Sequence, residues 1–291
     1  MTIGALIVLY NPEKGSLMEA LHSISPQTDV ICLVDNSAST HQQWFDGMPD
    51  IHYIPLYTNK GIAGAQNIGI KTLQELGCDY ILFSDQDSTA SPDIIEKLLH
   101  AHRLLADEGI QVATIGTFAQ NPNTGYPYPN RSITKRQLNI KGHDLTEVDY
   151  VRCSMSLTFV QTLQLVGGMD EVLFIDGVDS EWCWRAFSHH GLRTFILQEA
   201  VIYHRLGQDD RKLGTKAITI PATSRLFYQY RNYLWLIRRQ YVPKEWKWRN
   251  SGKYLLKMFY YPATCKPRKE ILMQILRGVK AGFSSPKIGR A

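Results

Sequence analysis

Tyr80-Ile81-Leu82-Phe83-Ser84-Asp85-Gln86-Asp87 decides the reading of this chain. An apolar run of strand length stops at two carboxylates separated by one residue, and Ser91-Pro92 then opens a helical pattern. In an open α/β sheet, ligands bind beyond the carboxyl ends of the strands, where Asp85 and Asp87 fall. Two acids at i and i+2 can both face a divalent cation. Hard cations such as Mg²⁺ and Mn²⁺ take such oxygens and bridge to phosphate. A polar turn before a helix has the same composition, so the surroundings of the motif carry the argument.

Those surroundings alternate strand and helix. Thr2–Leu9 is nearly continuous apolar, as in a strand buried within a parallel sheet, and a helix follows from about Gly15 to Ser23. Val30–Val34 and Ile51–Pro55 read as the second and third strands. Ile62, Ala65, Gly69, Leu73 and Leu76 recur at helical spacing, which places a helix from Gly61 to Gly77. Ile95, Leu98, Leu99, His102 and Leu105 form the face of another, and Val112–Phe118 is again a strand. The expected architecture is α/β, with a Rossmann-like, mostly parallel sheet flanked by helices.

Further on, Gln120–Lys141, rich in Asn, Pro, Gly and Tyr, reads as a long loop near the site. Asp149–Thr158 resumes an extended pattern. Asp179-Ser180-Glu181-Trp182 then opens a helix that ends near Gly191. Arg193–Leu197 and Val201–Tyr203 are expected as two short strands, the second running into His204. Beyond Pro221 the pattern becomes helical: one helix through Phe227, Tyr230, Leu234, Ile237 and Tyr241, another around Tyr254–Phe259, a third from Ile271 to Phe283. The expected division is 1–220 as one domain, with halves 1–118 and 119–220, and 221–291 as a helical extension.

Charge separates these regions. Residues 221–291 hold 16 Lys and Arg against Glu245 and Glu270, a net +14; the first 220 residues, with 16 basic and 25 acidic side chains, carry −9. Such asymmetry implies an acidic partner, a membrane surface or nucleic acid. Phe, Tyr, Trp and Leu interleaved with Lys and Arg suit helices lying on an anionic bilayer, so the chain is expected on the inner face of a cell membrane, with no nucleic acid as partner. Five cysteines without C-x-x-C spacing point to reduced thiols in a cytoplasm and against a zinc site. Met1-Thr2-Ile3-Gly4 leads into a strand without a basic leader, and no window approaches the ~18 apolar residues of a spanning helix.

Four strand-exit or helix-start positions carry polar groups: Asp35-Asn36, Asp85 with Asp87, Asp179 with Glu181, and His204. In an open sheet they converge on one edge. The small residues from Gly61 to Ala65 allow close approach at a helix N-terminus, which favours anions. No G-x-G-x-x-G loop follows the first strand and no G-x-x-x-x-G-K-[ST] loop occurs, which speaks against those forms of NAD and ATP chemistry.

In order along about residues 1–205, Leu9-Tyr10-Asn11-Pro12, Val34-Asp35-Asn36-Ser37, Asn59-Lys60-Gly61-Ile62-Ala63 with Ala65-Gln66-Asn67-Ile68-Gly69, Ser84-Asp85-Gln86-Asp87-Ser88, Gly167-Gly168-Met169-Asp170-Glu171, Leu173-Phe174-Ile175-Asp176 and Val178-Asp179-Ser180-Glu181-Trp182-Cys183 resemble the inverting glycosyltransferases of family 2, which have the GT-A fold. Gly61-Ile62-Ala63 through Gln66-Asn67, with Ser84-Asp85-Gln86-Asp87, is most similar to the rhamnosyltransferase branch. That resemblance implies dTDP-L-rhamnose as donor and a role in bacterial surface polysaccharide assembly. It also implies that Asp35 contacts the nucleobase and that Tyr10, Asn11, Gly61 and Gln66 line the nucleotide pocket.

The chemistry of such a transfer matches the residues. A departing nucleoside diphosphate gathers charge, which Mg²⁺ or Mn²⁺ held by Asp87 and His204 would neutralise, with Asp85 contacting the ribose or the groups behind the metal ligands. The acceptor hydroxyl needs a base, for which Asp179 is the first choice and Glu181 the second. Glu181 is better suited to positioning the acceptor, with Trp182 as a stacking surface. The acceptor is expected to be a glycan, lipid-diphosphate-linked if the tail meets a membrane. Three alternatives stay open: a UDP-hexose donor, a sugar-1-phosphate nucleotidyltransferase, for which Tyr10-Asn11-Pro12-Glu13 lacks the Gly- and Arg-rich loop, and a non-catalytic binding module built on the basic tail.

Overall fold

A computed structural model describes residues 1–120, 132–203, 210–213, 216–219 and 222–284. The first half runs β1 (Ile3–Leu9), α1 (Lys14–Ile24), β2 (Val30–Asp35), β3 (Ile51–Pro55), α2 (Gly61–Glu75), β4 (Tyr80–Ser84), β5 (Thr89–Ala90), α3 (Ile94–Asp107) and β6 (Val112–Gln120). A hairpin of β7 (Thr134–Ile140) and β8 (His143–Val148) follows, then β9 (Ser156–Phe159), α4 (Val160–Val166), α5 (Val178–His190) and β10 (Arg193–Tyr203). After the short pair β11 (Asp210–Leu213) and β12 (Lys216–Thr219) come α6 (Thr223–Leu236), α7 (Lys244–Thr264) and α8 (Arg268–Phe283).

The main sheet has the order β3-β2-β1-β4-β9-β6-β10-β8-β7. β1 pairs in parallel with β2 on one side and β4 on the other, so the chain leaves its first strand in both directions. The crevice at such a switch lies beyond the carboxyl ends of the strands, the edge that carries Tyr10, Asp35 and Asp85. β9 is antiparallel to β4 and β6, which makes the sheet mixed at its centre.

Side chains of β1 alternate between two cores, as the two-residue strand period requires. Ile3, Ala5, Ile7 and Leu9 pack with Leu17 and Leu21 of α1 and Leu98 and Leu105 of α3. Leu6 faces the other way, with Ala65 and Leu73 of α2, Leu163 of α4 and Trp182 of α5. Contact there is tight: a Cβ on Gly69 would lie 2.0 Å from Leu6 Cδ1.

Three expectations change. Thr134–Ile140, inside the anticipated long loop, is an edge strand; its Thr-Lys-Arg-Gln start is exposed, so polarity there marks a solvent edge. Arg193–Tyr203 is one strand, with a register shift between Ile196 and Val201 where the sequence suggested a break. α6 ends at Leu236, which leaves Tyr241 beyond it, bonded to Glu181.

The basic tail is joined to the sheet domain by its first helix. Asn232 of α6, 1% exposed, donates its amide to the carbonyls of Leu173, Ile175 and Asp176 at 2.8, 2.6 and 2.9 Å. Arg231 donates to Val172 and Leu173 carbonyls, and the Tyr228 ring stacks on Phe174 at 4.7 Å. α6 also packs with α7 and α8 around Leu226, Tyr230, Tyr261, Ile271 and Ile275.

Candidate active site

The donor side forms where β1, β2 and β4 end. Gln86, between the two acids, accepts from the Tyr10 N–H at 2.9 Å and donates to the Tyr10 carbonyl at 3.4 Å, tying the tips of β1 and β4. Tyr10 itself is exposed. Asn11 adopts φ 44° and donates its N–H to Ser37 Oγ at 2.8 Å. Asn36 accepts from the Lys60 N–H at 2.7 Å and donates to Asn59 Oδ1 and the Gly61 carbonyl, fixing the start of α2 to the end of β2.

Asp35 does not present its carboxylate to a ligand. It is fully buried and accepts from the Ser37 N–H at 3.0 Å and the Tyr53 hydroxyl at 2.5 Å, with His41 Nδ1 at 2.7 Å. Burial works against its ionisation, and bonds from Ser37, Tyr53 and His41 outweigh that and hold the carboxyl below its usual range. Through these bonds Asp35 shapes the 36–41 turn. Gly61, expected in the nucleotide pocket, lies under Phe174; at φ 75° a Cβ there would meet the Phe174 carbonyl oxygen at 2.5 Å.

Asp179 opens α5 after Gly177 at φ 91°, in the first turn, where the helix dipole favours negative charge. Cys153 addresses both its oxygens, the thiol at 2.8 Å from Oδ1 and the backbone N–H at 3.3 Å from Oδ2. Burial pushes the Asp179 carboxyl above its usual range, the charge of Asp85 adds to this, and Cys153 and Arg152 oppose it in part. The acid at the end of β4 and the acid at the start of α5 thus share one site. Arg225 of α6 joins them: it forks onto Asp176 at 2.6 and 3.2 Å and feels the charge of Asp85. The sequence offered no local signal for Arg225, which sits among the tail's other basic residues.

Glu181 and Trp182 face inward and cannot serve as an acceptor platform. Glu181, 1% exposed, is held by Arg185 at 2.9 Å, Arg239 at 3.2 Å and the Tyr241 hydroxyl at 2.6 Å. The Trp182 ring is in the core, its indole N–H on the Gly167 carbonyl at 2.8 Å. Successive helix residues turn by about 100°, so Glu181, two positions on, points away from the side that carries Asp179. Asp87 is exposed at the tip of β4. The end of β10 is registered against β5, with Tyr203 opposite Thr89, two residues past Asp87; His204 lies outside the described residues. Among the described residues, no three His, Cys, Asp or Glu side chains are grouped as a metal site.

The fold is that of the GT-A glycosyltransferases. GalNAc-T7, solved with UDP, GalNAc and Mn²⁺, superposes with a TM-score of 0.61 over 95% of this chain, which spans 55% of that protein, at 12% identity. Residues 1–349 of S. aureus TarS in complex with UDP-GlcNAc give 0.58 over 96% of this chain and 79% of theirs, at 14% identity. The family model described as Glycosyl transferase family 2 matches residues 5–158. A dTDP-rhamnosyl transferase of Shigella flexneri, RfbF, is 33% identical over 247 residues, 83% of this chain and 81% of that protein. The chain belongs to glycosyl transferase family 2, and it is a glycosyltransferase.

Proposed function

We propose that the enzyme transfers L-rhamnose from dTDP-L-rhamnose to a hydroxyl of a glycan, with inversion and with Asp179 as general base. The observation that carries the mechanism is Asp179 in the first turn of α5, its carboxyl pushed above its usual range by burial and by the charge of Asp85. The donor reading draws on the Shigella relative. The acceptor O–H proton passes to Asp179, the oxygen bonds to C1 of the sugar, and the C1–O bond breaks with its electron pair left on the diphosphate. Burial raises the carboxyl's pKa, which brings it nearer to neutral pH than an ordinary aspartate and suits it better to act as a base.

Asp87 and His204 would hold the Mg²⁺ or Mn²⁺, whose charge would offset that of the departing diphosphate; the carboxylate of Asp87, exposed at the tip of β4, is the oxygen donor such a hard cation takes. Asp85 faces the nucleoside, and Tyr10, Asn11 and Gln66 border it. In place of a direct contact, Asp35 supports this pocket through Ser37 and Asn36.

The acceptor reading, a lipid-diphosphate-linked glycan, draws on the tail. Trp248, Leu255, Leu256 and Phe259 form one exposed stripe of α7, and Leu272, Leu276 and Phe283 one of α8. Lys247, Arg249, Lys253 and Lys257 belong to the same helix as the first. Among the described residues no helix is long and apolar enough to cross a membrane. Truncation at Pro221 would also remove Asn232 and Arg225, so the clean test is Trp248→Ser with Phe259→Ser, expected to release the protein from anionic vesicles; unchanged sedimentation would reject membrane contact.

The deciding experiment is a panel of nucleotide sugars with Mg²⁺ or Mn²⁺, followed by nucleoside diphosphate release. Turnover of dTDP-L-rhamnose alone, lost with chelator, is expected. Turnover of a UDP-hexose instead would keep the mechanism and reject the donor.

A further inference from the structure

The function proposed above leaves Cys153, which addresses both oxygens of Asp179, without a role. It lies in the 149–155 loop, which is pinned on both sides. The Trp184 indole of α5 donates to Asp149 Oδ2 at 3.1 Å, and Ser154 Oγ meets Ser88 Oγ, one residue past Asp87, at 3.0 Å. Met155, at φ 51° and fully buried, closes the loop onto the core. The thiol is therefore held between the tip of β4 and the first turn of α5.

From there it meets Asp179 on one side and Gln66 of α2 on the other. The thiol is 2.8 Å from Asp179 Oδ1, and the Gln66 amide is within hydrogen-bond reach of the same sulfur. Gln66 is 4% exposed, and its Oε1 has no partner among the described residues. An amide whose N–H serves a neighbour while its buried oxygen stands open is an acceptor awaiting a donor from a ligand.

We infer that Cys153 is the positioning residue for the transfer base: its S–H and N–H align the Asp179 carboxylate, and Gln66 anchors the sulfur while offering its Oε1 to a hydroxyl or N–H of the bound nucleotide sugar. This rests on the reading of Asp179 as the base. Burial, and next the charge of Asp179, keep the thiol well above its usual range, so it remains an S–H, the form that can donate. A serine at the position can donate the same bond; an alanine cannot. Removing a donor to a carboxylate makes it harder to ionise.

The test uses the full chain with dTDP-L-rhamnose and water as acceptor, with dTDP release as the readout. Cys153→Ala should lower kcat about tenfold, the factor of one ordinary hydrogen bond, leave the donor KM within about twofold, and move the acid limb of kcat to higher pH. Cys153→Ser should restore most of the rate and the original limb. Gln66→Leu should raise the donor KM as well. An infrared measurement needs no turnover: one S–H band, lost in Cys153→Ala, should shift in Asp179→Asn. Wild-type kcat and pH profile in Cys153→Ala, or an S–H band indifferent to Asp179→Asn, would overturn the inference. If Asp179→Asn is inactive while Cys153→Ala is normal, this inference alone fails; if Asp179→Asn turns over normally, the base reading fails with it.

Discussion

The end of β2 and the start of α5 each carry an aspartate at the same edge of the sheet, and the two are opposite in state. Asp35 is enclosed by donors from three residues, and its charge is favoured by the fold. Asp179 is also enclosed, but among the described residues its donors come from Cys153, and burial with the charge of Asp85 outweighs them, so its charge is disfavoured. Residue type and place in the topology are equal; the count of donors against burial decides which acid becomes a structural strut and which a poised base.

The largest expected effect separates them by activity. Asp179→Asn should lower transfer by about 10³-fold, in the range of a lost general base, with donor affinity unchanged by calorimetry. Equal loss of affinity would remove Asp179 from that role. Next comes Asn232→Ala, which strips one amide from three carbonyls of the 173–176 loop and should cost about 2–3 kcal/mol in denaturant unfolding. If its cost stays under about 0.5 kcal/mol, the tail does not hold the loop before α5. Gly61→Ala should cost about 1–3 kcal/mol, from the strained φ and the Phe174 carbonyl together.

Stability against pH sharpens the comparison further. Asp35, with a lowered folded pKa, contributes stability that is present above its unfolded value of about 3.9 and lost as pH falls toward the folded one. The deficit of Asp35→Asn relative to wild type should therefore be full at neutral pH and shrink in acid. Asp179, with a raised folded pKa, does the reverse: the native state is favoured at low pH and loses ground as pH rises through the folded pKa. Asp179→Asn should therefore melt higher than wild type at neutral pH while being inactive. The same sign for both variants would mean that the two environments do not differ as described.

The first half of the fold was legible because β1, β2 and β4 are largely buried and its helices are regular, so apolar runs and 3.6-residue spacing speak directly; the Gly61 helix start coincides with the expectation, and so does the edge strand Ile51–Pro55. Legibility failed where the environment was not local. β7 is polar because it is an edge, and Trp182 reads as a sugar platform until Gly167 claims its N–H. Asp179 and Asp85 could be placed at one edge from the strand exits, but nothing in the 149–155 loop announces that Cys153 reaches the base. The basic tail was readable as charge and amphipathic helix. That Asn232 and Arg231 use it to hold the 171–176 turn depends on a contact across about 60 residues, which no local pattern encodes.

Gln86 has a mechanical consequence. Its side chain reads both backbone polar groups of Tyr10, as a neighbouring strand would, but at a point where β1 and β4 have already ceased to pair. It acts as a one-residue rung that prolongs the sheet by a step without adding any strand. The tyrosine at the tip of β1 and the acids at the tip of β4 are thereby geared together: a displacement of one jaw carries the other, and the aperture between them is a set gauge.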